Sequence, residues 1–135
     1  MQASVKWKEN LTLEGTSETG HTLTMDGCGG QNGPTPMELV LLAAGGCSSI
    51  DVVSILEKAR QDVTDCQVKI DADRAETTPR VFTRIHLHFE VTGKGLSEKH
   101  VQRAVDLSME KYCSVSLMLG KHCPIEHSYS VIEAA

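Results

Sequence analysis

The residues in this sequence best suited to chemistry are its thiols. There are five cysteines: Cys28, Cys47, Cys66, Cys113 and Cys123. An odd number with no C-x-x-C spacing is not a secreted disulfide framework. In a reducing compartment static bridges are disfavoured, whereas a redox-cycling pair is possible. Cys47 follows Gly45-Gly46 and precedes Ser48-Ser49. The glycines leave room beside the sulfur for a substrate atom, and the serine hydroxyls can donate to a thiolate. The competing reading is a small apolar thiol that fills a helix interface, a frequent place for free cysteine. Cys113 falls at a predicted helix–helix junction. A helix starting at Ser114 would aim free N–H groups and a positive dipole end at the sulfur, which favours the thiolate. Plain core packing competes with that reading too. Cys28, in a Gly-rich loop, reads as an exposed thiol without a role, and Cys66, at the start of a strand, as a structural one.

Other chemistries find little support. His122, Cys123 and His127 fit no zinc spacing and lack a fourth ligand, so no metal site is expected. Gly27-Cys28-Gly29-Gly30 lacks the spacing and context of a dinucleotide fingerprint, and no other cofactor motif occurs. There is neither a serine nucleophile elbow nor an H-E-x-x-H. A net charge of -5 and aromatics at 4% argue against a nucleic-acid partner.

These side chains need elements to position them. The 135 residues suit one domain, 1–135, with enough chain to bury a core. Alternation at Val5–Lys8, Leu11–Glu14 and Thr22–Met25 predicts a three-stranded antiparallel meander. Asp26–Pro34 reads as loop. Thr35-Pro36 then supplies an N-cap and a first-turn proline for a helix to about Gln61. Leu39 to Gly46 has no polar residue on any side, so that half should be buried all round. Beyond it, Ile50, Val53, Leu56 and Ala59 are expected inward, with Asp51, Glu57, Lys58 and Arg60 outward. Two alternating strands follow, at Cys66–Ile70 and Val81–Val91. The second places Val81, Ile85, Leu87, Phe89 and Val91 on one face and Arg84, His86, His88 and Glu90 on a solvated one. Ser97 caps a second helix with Val101, Ala104, Val105 and Leu107 inward. Ser114–Leu119 forms a third helix stopped by Gly120, and Ile125–Ile132 a last strand. The order β-β-β-α-β-β-α-α-β indicates an α+β fold.

No targeting segment is evident, and the apolar stretch Leu39–Cys47 is too short to span a bilayer, so a cytoplasmic protein without membrane association is expected. A 135-residue chain has little material with which to cover the all-apolar turn Leu39–Leu42. Gly45 and Gly46 in mid-helix also cost about 1 kcal/mol each relative to Ala, which makes sense if another backbone approaches there. A homodimer packed on this helix answers both points.

The strand-rich start, the run Thr35-Pro36-Met37-Glu38-Leu39-Val40-Leu41-Leu42-Ala43-Ala44-Gly45-Gly46-Cys47 and the later Lys111-Tyr112-Cys113-Ser114-Val115-Ser116 together resemble the OsmC/Ohr family of osmotically inducible and organic-hydroperoxide-resistance proteins, in particular its small YhfA-like branch. The resemblance covers almost the whole chain. It implies antiparallel sheets around two central helices in an intertwined homodimer, with two active sites at its interface. It also implies that Cys47 is the peroxidatic thiolate attacking an O–O bond, and that Cys113 resolves the resulting sulfenic acid into a disulfide. Organic hydroperoxides would be the substrates and a dithiol, such as a lipoylated protein, the reductant.

Two positions depart from the family pattern. The acid usually found ten residues before the first cysteine is replaced by Met37, with Glu38 one residue later. At roughly 100° per residue, position 37 lies about 80° around the helix from Cys47 and position 38 about 180°. The arginine usual in the early strand connection is also missing, since none precedes Arg60, and His21 is the nearest substitute. An alternative function follows: a redox sensor or small-apolar-ligand binder, with Met37, Leu41 and Met118 lining an apolar pocket beside Glu38.

Overall fold

The computed structural model describes residues 1–135. They form β1 (Ala3–Glu9), β2 (Thr12–Ser17), β3 (Thr22–Asp26), α1 (Pro36–Lys58), β4 (Asp62–Arg74), β5 (Phe82–Lys94), α2 (Glu98–Leu107), a π-helical turn (Ser108–Tyr112), α3 (Ser114–Leu119) and β6 (Ile125–Glu133). This is the α+β order read from the sequence. The chain divides into two compact units, Met1–Leu42 and Ala43–Ala135.

In the first unit β1, β2 and β3 form the antiparallel meander. The pairings Val5↔Gly15↔Leu23 and Trp7↔Leu13↔Met25 gather apolar side chains on one face. That face is open in the single chain: Val5, Trp7 and Leu23 are 60%, 67% and 48% exposed. The Gly-rich loop is organised by Asp26, whose buried carboxylate accepts from the N–H groups of Cys28 and Asn32 at 2.6 and 2.9 Å.

The second unit has a closed core. β4 and β5 are antiparallel, and Ile85, Leu87, Phe89 and Val91 are wholly buried on one face of β5. Phe82 is buried in place of Val81, because a register shift between Asp73 and Arg74 disturbs the alternation where the hairpin begins. The expectation of antiparallel sheets holds except at one pair: β6 runs parallel to β5. The connection between them is a helical crossover, the link that parallel strands require.

Two helices depart from their expected faces. The buried stripe of α1 is Ala44, Gly45, Ser48, Val52 and Leu56, while Ile50 is 71% exposed. A helix apolar on all sides has no polar face to say which side turns inward. Gly45 belongs to that stripe because a Cβ there would lie 2.7 Å from Ile70 Cδ1, whereas a Cβ on Gly46 would meet nothing. Leu42, Ala43 and Gly46 are exposed in the single chain, against the expectation of burial all round. By length and composition α1 as a whole could also cross a membrane, although the apolar stretch Leu39–Cys47 within it is too short to do so; 28% of its most apolar window is buried. In α2, Val101, Ala104 and Val105 face inward as expected. Leu107 is only half-buried, and Ser108 and Met109 are buried instead. The π turn inserts an extra residue and rotates the face.

Candidate functional site

Cys113 is delivered by the π turn. Its N–H donates to the Ser108 carbonyl at 2.7 Å, closing that turn, and its extended backbone makes it the N-cap of α3. Its sulfur accepts from the Ser116 N–H at 3.4 Å and lies 3.2 Å from Ser116 Oγ and 3.9 Å from the Ala44 carbonyl. The side chain is completely buried. Burial pushes its pKa up, the two contacts from Ser116 pull it down, and Cys47 pushes it up again through a side-chain hydrogen bond and through charge; the net direction is up. The junction predicted from the sequence is therefore present, yet its expected consequence is reversed. A buried sulfur at the head of a six-residue helix keeps its proton, because desolvation outweighs the N-terminal hydrogen bonds.

Cys47 sits on α1, half-buried, three residues beyond the Ala44 whose carbonyl faces Cys113. The two thiols, far apart in sequence, are thus near neighbours. The flanking serines do not donate to the sulfur. Ser48 Oγ donates to the Ala44 carbonyl at 2.8 Å and Ser49 Oγ to the Gly45 carbonyl at 2.7 Å. Both hydroxyls turn back into their own helix, a common habit of mid-helix serine.

The remaining residues singled out by the sequence have local roles. Glu38 Oε1 accepts from the Thr35 N–H at 2.9 Å while Thr35 Oγ1 accepts from the Glu38 N–H at 3.2 Å. This reciprocal capping box occupies the carboxylate at the head of α1. The signal was legible as Thr35-x-x-Glu38. Met37 and Leu41 are half-buried, and Met118 on α3 is 67% exposed. His21 is exposed in the β2–β3 turn, with Nδ1 3.1 Å from Thr19 Oγ1. Cys28 is exposed, Cys66 half-buried and Cys123 buried; burial pushes the last two thiols up. His127 Nε2 lies 3.1 Å from Asp106 Oδ1.

Several polar groups escaped the sequence reading. His86 and His88 are half-buried in a network instead of solvated. His86 Nε2 and His88 Nδ1 converge on Ser128 Oγ at 2.8 and 2.6 Å, and His88 Nε2 meets Ser130 Oγ at 3.0 Å. Arg84 holds Asp71, Asp73 and Glu126 beside them. Beside Cys113, an open groove of about 740 Å³ is lined by Met109, Ser116, Leu117, Lys121, Cys123 and Ile125 among others. Ser116 therefore touches both the groove and the Cys113 sulfur. Ser108 Oγ, buried, donates to Asp51 Oδ2 at 2.9 Å, and no pattern in the sequence marks that pair.

The comparisons with known proteins agree with this architecture. The OsmC-like protein family matches residues 29–128. Protein YhfA of Escherichia coli strain K12 is 61% identical over 134 residues, covering 99% of this chain and all of the relative. A solved OsmC-like protein from Mycoplasma pneumoniae superposes with a TM-score of 0.83 at 14% identity, covering 97% of this chain and 96% of its own. The organic hydroperoxide resistance protein OhrB of Bacillus subtilis does so with a TM-score of 0.63 at 18% identity, covering 96% and 98%. Sequence and fold together place this chain in the OsmC-like family.

Proposed function

We propose that this chain is a stress-related redox protein that reduces organic hydroperoxides through Cys47 and Cys113. The observation that carries the reading is the pairing of a half-buried thiol with a fully buried, proton-holding one beside it. Cys47, as thiolate, attacks the distal oxygen of ROOH. The O–O bond breaks, a proton is taken up, and the products are ROH and Cys47 sulfenic acid. The Cys113 thiol then attacks the Cys47 sulfur, water leaves, and a disulfide forms. A dithiol reductant returns both thiols and is itself oxidised to a disulfide. Met118, exposed on α3, is the apolar side chain offered to the alkyl group. In this reading the chain is one cytoplasmic domain of a homodimer, in which a second copy covers the open apolar surface of α1.

The test is alcohol formation from an alkyl hydroperoxide supplied with dihydrolipoamide. Cys47→Ser is expected to abolish it. Cys113→Ser is expected to allow one turnover and stall at the sulfenic acid. Undiminished turnover in Cys47→Ser would overturn the proposal.

One observation favours a second reading, a sensor or small-apolar-ligand binder on the same fold. The acid in the first turn of α1, Glu38, is occupied as a helix cap, and no arginine precedes Arg60. A Cys47–Cys113 disulfide that forms under mild oxidation, with no catalytic turnover, would select this reading.

A further inference from the structure

We infer that Ser108 and Asp51 are positioning residues that hold the buried thiol of Cys113 against α1; this rests on the paired-thiol reading above. Ser108 is completely buried and joins two elements with its two polar ends. Its hydroxyl donates to Asp51 Oδ2 of α1 at 2.9 Å, with the Ser48 carbonyl of the same helix 3.4 Å away. Its carbonyl accepts the Cys113 N–H at 2.7 Å. The chain from α1 to Cys113 thus runs through one serine, whose α1 partners follow Cys47 by one and four residues. The Cys113 sulfur closes the loop from the other side, 3.9 Å from the Ala44 carbonyl.

The π turn gives this clamp its purpose. Continuing α2 as a regular helix would place position 113 about 100° around the axis from where the extra residue leaves it. The π turn is held where it begins, at Ser108, and there the tether is a charge-assisted hydrogen bond, stronger than one between neutral groups. No cation is paired with Asp51, so the serine hydroxyl is the partner that fixes its carboxylate. Disulfide formation needs the two Cα atoms within about 4.4–6.8 Å, a narrow window for two residues on separate elements.

The test is the equilibrium of the Cys47–Cys113 disulfide in buffers of reduced and oxidised dithiothreitol, read by mass spectrometry in the full chain. Ser108→Ala is expected to lower the equilibrium constant for the disulfide about tenfold. Ser108→Thr, which keeps the hydroxyl, should restore it to within about twofold. Asp51→Asn lies at a half-buried position, provides the same readout if Ser108→Ala folds poorly, and should also weaken the disulfide. A disulfide whose equilibrium ignores both Ser108→Ala and Asp51→Asn would overturn the inference, even if they lower Tm equally in the oxidised and reduced proteins. A wild-type chain that forms no Cys47–Cys113 disulfide in oxidising buffer would instead overturn the paired-thiol reading, and this inference with it.

Discussion

The two sheets are built on the same alternating principle and end in opposite conditions. In the second, Ile85, Leu87, Phe89 and Val91 are all at 0% exposure. In the first, Val5, Trp7 and Leu23 stand 48–67% exposed on one shared face. Both sheets carry the apolar pattern of a buried face, yet only the second is covered within its own compact unit. In the homodimer proposed above, an exposed apolar face of this kind is where a second copy would pack. Leu42 and Ile50 of α1, at 58% and 71% exposure, repeat the lesson on a helix.

The comparison can be broken most severely in the closed core. Phe89→Ala should destabilise the fold by about 3–5 kcal/mol, measured by urea denaturation, because the cavity opens at full burial. Trp7→Glu and Ile50→Glu should leave the circular dichroism of the chain unchanged and weaken self-association about tenfold or more, measured by sedimentation, because a charge now meets the proposed apolar interface. Equal losses of chain stability at Phe89 and Trp7 would erase the distinction between the two sheets. Thr35→Ala should cost about 1 kcal/mol through loss of the α1 cap, again by denaturation, without reducing the reactivity of Cys47.

The smallest effect expected is one of pH. Burial and Cys47 hold the Cys113 pKa above its unfolded value. The folded chain therefore binds this proton more tightly than the unfolded one does. The resulting stabilisation is complete below the unfolded thiol value and is lost as pH rises through the raised folded value. Reduced protein should thus lose stability on alkalinisation, and Cys113→Ser should flatten part of that slope in thermal melts.

The element order, the meander, the start of α1 and the junction at Cys113 were legible in the sequence, because turn residues, caps and period-2 alternation are local signals. What escaped was settled by tertiary context. Nothing in Leu39–Gly46 says which side faces inward, so the stripe through Ala44, Ser48 and Val52 had to be seen. No local pattern announced the π turn that swaps Leu107 for Ser108 and Met109. Alternation in Ile125–Ile132 fixes faces but carries no strand direction, so the parallel pairing with β5 was hidden. At the site, the two thiols were named from their neighbours in sequence, while the proton retained by Cys113 depends on a burial that spacing does not encode. Glu38 is a different case: its capping-box spacing with Thr35 is a local signal, and it fixes the carboxylate as a helix cap.

The most direct measurement is a map of all five cysteines by mass spectrometry after treatment with one equivalent of an alkyl hydroperoxide. A single Cys47–Cys113 disulfide is predicted, with Cys28, Cys66 and Cys123 still free. Oxidation that falls mainly on exposed Cys28, or a Cys47 sulfenic acid that persists beside a free Cys113 thiol, would contradict the account.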